Sequence, residues 1–543
     1  MRILSHGHLW SLQLLESCRG IGVKTLCIAP GSRSTCLVKA ASQIPSFNII
    51  THYDERSLGF FALGCAKYDR VPVVIITTSG SAVANLVPSA TEAYALQIPL
   101  IYISADRPPE LHHCGANQTL EQEPLLKHSV NKQVSYVVND DKTSFKAYAK
   151  SIQSLLTPPP KGPLHINIAF REPFLIPSSS VTLQLDKAYL KTKKIKQKSS
   201  PSLLKNYQQT IQGHPIRNHD VLCIVSNTVK PINHKKLLDW SQHYHIPIMT
   251  ECSSSIPWNE PIIRQVDHVI NVLTQRSQLP TYIICIGAKW ISKTVQALLQ
   301  KQDNILLIHD FPETQNCLSL PCLEIANQDI DLTDLLPTQQ ANKAYYKTCH
   351  HVANQIITKH KKQNQNKLFL EITCIKALSL LMQHMHSVFL GNSLTVRHVN
   401  EHINRLKNPV KTITQRGVSG IDGLISTMAG IAYQGSQRTM GIIGDISFFY
   451  DVGGLSLLKY IKTPLLLVVI NNHGGQIFKT LDINNDAICN PLFVMPQSIR
   501  INDIAKAYSI AYQKIVSEKE LIAFSTSYNT LNKHHIIECI INY

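Results

Sequence analysis

Asp445 and Asn472 are the first residues in this chain whose types and spacing imply chemistry. The apolar run Thr439-Met-Gly-Ile-Ile-Gly-Asp445 ends in Gly-Asp, and Pro464-Leu-Leu-Leu-Val-Val-Ile-Asn-Asn472 leads into His473-Gly-Gly475. Near-continuous hydrophobic runs of this length read as buried strands of a parallel sheet. Open α/β sheets bind ligands beyond the carboxyl ends of their strands, so Asp445 and Asn472 should meet at one sheet edge. A carboxylate, an amide oxygen and a backbone carbonyl near Gly474 make a hard oxygen site for Mg²⁺, which keeps phosphate oxygens among its other ligands. Gly-Asp or Asn-Asn-x-Gly-Gly alone is an ordinary turn. The information lies in their pairing, each after a strand.

The elements that must hold these residues fall into three blocks of strand-like and helix-like segments. The first has strands at Lys24–Ala29, Asn48–Thr51, Val71–Thr77, Pro99–Ala105 and Leu164–Ala169. It closes near Pro177-Ser-Ser-Ser180, before a lysine-rich linker with its densest cluster from Lys187 to Lys198. The second has strands at Val221–Val225, Ile246–Thr250, Tyr282–Ile286 and Ile305–Ile308. A polar, partly helical stretch from Glu324 to Asn366 reads as a crossover. The third has strands at Ser387–Leu390, Val410–Thr414, Met440–Ile443, Leu465–Ile470 and Ile536–Ile541. This alternation predicts an α/β protein of three successive parallel-sheet domains, over residues 1–180, 203–325 and 367–543. Its 543 residues suit about three domains of ordinary size. No short internal repeat is visible.

Composition narrows the function. No apolar window is long enough for an integral membrane segment, and Met1–His8 lacks the apolar core of a signal peptide. The 14 cysteines are scattered without a Cys-x-x-Cys pair, which reads as buried thiols in a reducing cytoplasm. The net charge of +17 raises a nucleic-acid reading, but the lysines are dispersed and no recognition-helix pattern accompanies them. No nucleic-acid partner is expected, and the charge suits polyanionic small molecules. None of the 24 histidines has a convincing set of metal partners in the sequence, His384/His386 and His534/His535 included.

The Gly444-Asp445 and Asn471-Asn472 pair resembles the metal-diphosphate motif of thiamine-diphosphate enzymes, although Ile446 stands where the wider family has Gly. Such an enzyme also needs a carboxylate for the aminopyrimidine. Glu55, in His52-Tyr-Asp-Glu-Arg-Ser-Leu-Gly59, is the candidate, although Asp54-Glu55 alone also suits a helix start. The strings Ala29-Pro-Gly-Ser-Arg-Ser34, Asp54-Glu-Arg-Ser-Leu-Gly59, Thr78-Ser-Gly-Ser-Ala-Val-Ala-Asn85, Ser104-Ala-Asp-Arg-Pro-Pro-Glu110 and Cys114-Gly-Ala-Asn-Gln118 narrow the resemblance. So do Gly391-Asn-Ser-Leu-Thr-Val-Arg397, Gln415-Arg-Gly-Val-Ser-Gly-Ile-Asp-Gly423 and Asn471-Asn-His-Gly-Gly-Gln-Ile-Phe478. Together they resemble the 2-succinyl-5-enolpyruvyl-6-hydroxy-3-cyclohexene-1-carboxylate synthase family of menaquinone biosynthesis. Gly444-Asp-Ile-Ser447 agrees with that branch, and the middle block resembles it only weakly.

The resemblance implies a transferase that uses thiamine diphosphate and Mg²⁺, or Mn²⁺ in its place. It implies decarboxylation of 2-oxoglutarate and 1,4-addition of the succinyl-semialdehyde unit to isochorismate. Glu55 would be catalytic. Ser419, Gly420, Ile421, Gly444, Asp445, Ile446, Ser447, Asn472, Gly474 and Gly475 would bind cofactor, with Asp445, Asn472 and Gly474 on the metal. Ile421 would keep the cofactor bent, and His473 is set aside as exposed bulk. Both substrates are dicarboxylates, and Arg33, Arg107, Arg397 and Arg416 supply the planar forks that grip carboxylates. Ser32, Asn117, Gln118 and Ser393 would add neutral contacts, and Lys293 would reach in from the middle domain, with Thr294 where some members have arginine. A homodimer or homotetramer follows by analogy, with Glu55 from one chain and the diphosphate site from another. A different thiamine-diphosphate carboligase or decarboxylase, such as an acetohydroxyacid synthase, is the alternative; it would favour an apolar acceptor pocket over four arginines.

Overall fold

Three all-parallel sheets order the chain in this computed structural model, which describes residues 5–175, 185, 201–213, 216–362, 369–528 and 532–542. The first sheet contains β1 (Thr25–Ile28), β2 (Asn48–Thr51), β3 (Val73–Thr77), β4 (Leu100–Asp106), β5 (Lys132–Val137) and β6 (Leu164–Ala169), in the order β2-β1-β3-β4-β6-β5. The second contains β7 (Val221–Val225), β8 (Ile248–Thr250), β9 (Tyr282–Ile286), β10 (Ile305–His309) and β11 (Cys322–Ala326), ordered β11-β10-β9-β7-β8. The third contains β12 (Ser387–Leu390), β13 (Lys411–Thr414), β14 (Thr439–Gly444), β15 (Leu465–Asn471), β16 (Ala511–Ile515) and β17 (His535–Ile540), ordered β13-β12-β14-β15-β17-β16. Every strand predicted from hydrophobic runs is present, with ends shifted by at most two residues.

The three sheets repeat one winding. Numbered within its own sheet, each starts second-first-third-fourth, and the first and third sheets both finish sixth-fifth. The chain reverses direction between the first and third strands, and such a switch point opens a crevice at the carboxyl edge. The crevice of the third sheet falls between β12 and β14, where Gly391–Ser393 and Asp445 follow their strands.

Sequence patterning passed over β5, β11 and β16, and all three are edge strands. An edge strand packs on one side only, so the Lys132–Val137 and Ala511–Ile515 stretches are partly exposed and carry no continuous apolar run. The stretch read as a polar crossover holds β11 and the Lys343–Lys362 helix. That helix buries Tyr345, Cys349, Val352, Ala353 and Ile356 against the second sheet's core. The Pro177–Ser180 boundary, the Lys187–Lys198 linker and the Asn366–Lys367 boundary lie outside the described residues. All 14 cysteines are free thiols, and only Cys114 and Cys317 are exposed outright. Among the described residues no helix is long and apolar enough to cross a membrane.

The chain divides into two compact units. One is built on the first sheet and includes Gly417–Ser436 and Tyr450–Lys462; the other carries the second and third sheets. In the first unit the Glu55–Asp69 and Leu424–Gly435 helices cross with their backbones almost touching. A Cβ on Gly64 would lie 2.0 Å from the Thr427 carbonyl, and one on Gly430 would lie 2.0 Å from the Phe61 carbonyl. Only glycine permits this approach. Asp451, fully buried, ties the first turns together: it accepts the Ser426 N–H at 2.7 Å and faces the Ser57 hydroxyl at 3.4 Å.

Candidate active site

In the unit carrying the third sheet, β14 and β15 run side by side, with Gly444 opposite Ile470, so Asp445 and the Asn471–Gly475 turn emerge together. Asp445 is 3% exposed. Its Oδ2 accepts the Gly474 N–H at 2.7 Å and its Oδ1 the Ile446 N–H at 2.9 Å. Burial nevertheless pushes its carboxyl up to about 6, against the pull of these backbone donors. A buried carboxylate held this way gains from a cation, and no Lys or Arg forms an ion pair with it among the described residues.

The two asparagines divide the work. Asn471 turns sideways: Nδ2 donates to Glu538 at 2.6 Å, and Oδ1 accepts the His473 N–H at 3.1 Å. Asn472 is buried and donates Nδ2 to Glu371 Oε2 at 3.1 Å. Its Oδ1 has no hydrogen-bond partner among the described residues. An orphaned buried amide oxygen beside a buried carboxylate is what a hard metal cradle presents. Gly474 sits at φ +117°, and a Cβ there would lie 2.2 Å from the Val494 carbonyl. Nothing lies within 4 Å of a Cβ built on Gly444, so the strand end faces open space. Ser447 is buried, Ile446 and Gly475 are half-buried, and the Gly475 N–H donates to Val494 at 2.6 Å. His473 is exposed at φ +60°. These residues fit a divalent cation with phosphate oxygens.

Beside the switch point, Asn392 gathers the second group. Its Nδ2 donates to the Gln415 carbonyl at 2.8 Å, and Arg416 Nη1 lies 3.4 Å from its Oδ1. Ser393, at φ +68°, offers its carbonyl to Arg397 Nη1 at 2.8 Å. Burial pulls the Arg397 guanidinium below its usual value, so an anion there would be welcome. Arg397, Arg416 and Ser393 are thus brought together. Lys293 is exposed after β9, at the start of its helix, and among the described residues it makes no hydrogen bond to either arginine.

In the first unit, Glu55 opens the Glu55–Asp69 helix. The capping role belongs to Asp54, which accepts the N–H groups of Arg56 at 2.9 Å and Ser57 at 3.3 Å. Glu55 is half-buried, and its carboxylate makes no hydrogen bond or ion pair among the described residues. That leaves it free for a ligand. Glu92, 1% exposed, accepts the N–H groups of Gly417 and Val418 at 2.9 and 2.8 Å and so anchors the loop bearing Ser419, Gly420 and Ile421. Ser419 is at φ +62° and Ile421 is half-buried.

The remaining predicted positions gather past β1, β3 and β4. Arg107 donates to Ser79 Oγ and to the Gln118 carbonyl, and Gln118 Nε2 donates to the Ser79 carbonyl at 2.8 Å. Burial and the nearby Arg33 lower the Arg107 guanidinium's value, against the pull of Asp106 and Glu172. Arg33 itself turns inward, bonded to the Phe170 carbonyl and Glu172, each at 3.0 Å, and stacked on Phe174. Ser32 and Asn117 are exposed. Glu371, Glu92 and Asp451 were missed by sequence reading. Each acts on residues tens to hundreds of positions away, and no local pattern marks them.

Residues 11–128 match the family described as thiamine pyrophosphate enzyme, N-terminal TPP binding domain. The 2-succinyl-5-enolpyruvyl-6-hydroxy-3-cyclohexene-1-carboxylate synthase of Shewanella putrefaciens (strain CN-32 / ATCC BAA-453) is 31% identical, over 96% of this chain and 92% of its own. Synthases of the same name from Shewanella sp. (strain W3-18-1) and Shewanella frigidimarina (strain NCIMB 400) are each 32% identical, over 96% and 93% of this chain and 92% and 90% of theirs. With that identity along nearly its whole length, the chain belongs to the thiamine-diphosphate-dependent 2-succinyl-5-enolpyruvyl-6-hydroxy-3-cyclohexene-1-carboxylate synthase family.

Proposed function

We propose that the protein decarboxylates 2-oxoglutarate and adds the resulting succinyl-semialdehyde unit, in a 1,4 sense, to isochorismate, a step of menaquinone biosynthesis. The observation that carries this reading is the buried pair of Asp445 and the unpartnered Asn472 Oδ1 at the end of β14 and β15. Asp445, Asn472 and the Gly474 carbonyl would hold Mg²⁺, or Mn²⁺ in its place, against the diphosphate. Gly444, Ile446, Ser447 and Gly475 would line that end, and Ser419, Gly420 and Ile421 the ring end. Thiamine diphosphate supplies, when bound, an acidic carbon centre and a sink for the electron pair released with CO₂.

The chain's own groups do the rest. The Glu55 carboxylate would hold the aminopyrimidine ring nitrogen and so promote proton loss from the thiazolium carbon. Arg397 and Arg416, with Ser393, would grip one dicarboxylate; Arg107, with Ser32, Asn117 and Gln118, would grip the other. Arg33 supports this group from the interior, and Lys293 would complete the rim. The domain assignment that goes with this reading is aminopyrimidine binding in residues 1–180, a central domain in 203–325 and diphosphate and metal binding in 367–543.

The reading extends to a cytoplasmic homodimer or homotetramer. Exposed apolar side chains support an assembly: Tyr53, Val418 and Tyr450 in the first unit, and Leu481, Leu492 and Ile499 in the second. The test is incubation with thiamine diphosphate, Mg²⁺, 2-oxoglutarate and isochorismate while isochorismate absorbance is followed, with pyruvate in a parallel arm. Consumption with 2-oxoglutarate alone is expected. Turnover of pyruvate instead would make the protein an acetohydroxyacid-type enzyme.

A further inference from the structure

Three metal-ligating side chains that the reading above does not use converge between two helices. His268 lies on the Val266–Gln275 helix, which packs on the second sheet's core. Glu401 and His402 end the Leu394–His402 helix, which packs into the third sheet's core. One ligand atom from each lies within 4.8 Å of the others. The Glu401 carboxylate bridges the pair, with Oε1 3.7 Å from His268 Nε2 and Oε2 3.7 Å from His402 Nε2. Donors around a tetrahedral ion bound at about 2.0–2.1 Å stand roughly 3.3 Å apart, so small side-chain rotations close this set.

The local charge favours an ion. Glu401 is partly buried, and burial together with nearby Asp267 raises its carboxyl, while His398 opposes the rise. Burial holds His268 towards the neutral imidazole that ligates metals; Asp267 pulls the other way and Lys376 reinforces burial. His398 stacks on His402 with ring centres 5.8 Å apart, and its Nε2 lies 3.7 Å from Glu371. Two imidazoles and one carboxylate select a borderline ion over Mg²⁺, which prefers oxygen.

We propose that His268, Glu401 and His402 form a site for one divalent cation of the Zn²⁺ class, with water completing its shell, clamping the two helices together. This inference is independent of the proposed reaction. Binding would stabilise the folded state by mass action, since the unfolded chain does not hold the three ligands together.

The test uses full-length, chelator-stripped protein carrying Cys114→Ser and Cys317→Ser, which removes the exposed thiols, in millimolar Mg²⁺. Titration with Co²⁺ should develop one equivalent of a visible ligand-field band that Zn²⁺ displaces, and Zn²⁺ should raise Tm. His268→Gln and His402→Gln should each weaken Zn²⁺ by at least about 10–100-fold, a cost that losing even an outer-sphere partner can reach. Thiamine-diphosphate binding in His268→Gln should stay as in the parent. Absence of stoichiometric binding, or the same affinity in both variants, would overturn the site and mark any bound ion as adventitious. Should a variant fail to fold, the Tm response of the parent to Zn²⁺ still decides: no rise overturns the clamp.

Discussion

The Asn472 amide donates to the Glu371 carboxylate at 3.1 Å, across 101 residues of sequence. This bond settles the amide's orientation, since only nitrogen can donate to a carboxylate. The oxygen is thereby aimed away from Glu371, where it has no partner among the described residues. Glu371 thus positions a proposed metal ligand without touching the metal. Glu371→Ala should weaken Mg²⁺ by about 10–100-fold, the usual cost of losing an outer-sphere partner. Calorimetric titration of Mg²⁺ in the presence of thiamine diphosphate checks this, and an unchanged affinity would remove Glu371 from the role.

Glu55 has its helix capped for it by Asp54, so its carboxylate is not needed to hold the fold. Glu55→Gln should therefore leave melting temperature and cofactor affinity near those of the parent. Turnover should fall by roughly 10²–10⁴, the range for a positioned proton-transfer group. Full activity in this variant would end the assignment of Glu55.

Among the described residues Arg397 bonds only to the Ser393 carbonyl, leaving most of its donors for a ligand. Losing a charge-assisted contact costs about 1.5–3 kcal/mol, or roughly 10–150-fold in kcat/KM for one of the two substrates. Steady-state kinetics of Arg397→Ala with each substrate varied in turn measures this. Unchanged kinetics for both would exclude Arg397 from the site.

Asp451 gives a pH-dependent stability. Burial pushes its carboxyl up to about 6, above the usual carboxylate value of 3.8. The folded state therefore binds the proton more tightly than the unfolded state. Its contribution is fully present below pH 3.8 and is lost as pH rises through about 6. The loss amounts to at most about 3 kcal/mol. In denaturant unfolding, the stability of the parent relative to Asp451→Asn should fall by up to that amount between pH 4 and pH 7. A difference that stays flat with pH would show that burial does not raise this carboxyl.

The sequence by itself determined the central strands and the polar residues at their ends. A strand flanked on both sides in a parallel sheet is buried on both faces, so its residues must be apolar in a continuous run, as in Leu465–Asn471. The polar residues that end such runs, Asp445 and Asn472, then stand out against them. Tertiary structure alone decided the rest. The edge strands β5, β11 and β16 owe their conformation to one neighbour, and their composition does not announce it. The shared strand order of the three sheets leaves no repeated sequence, because winding depends on connection and twist rather than on residue identity. The free oxygen of Asn472, the inward turn of Arg33 and the meeting of His268 with His402 depend on partners more than a hundred residues distant. Hydrogen bonds and ligand sets of that kind are set by packing, and only the folded chain contains them.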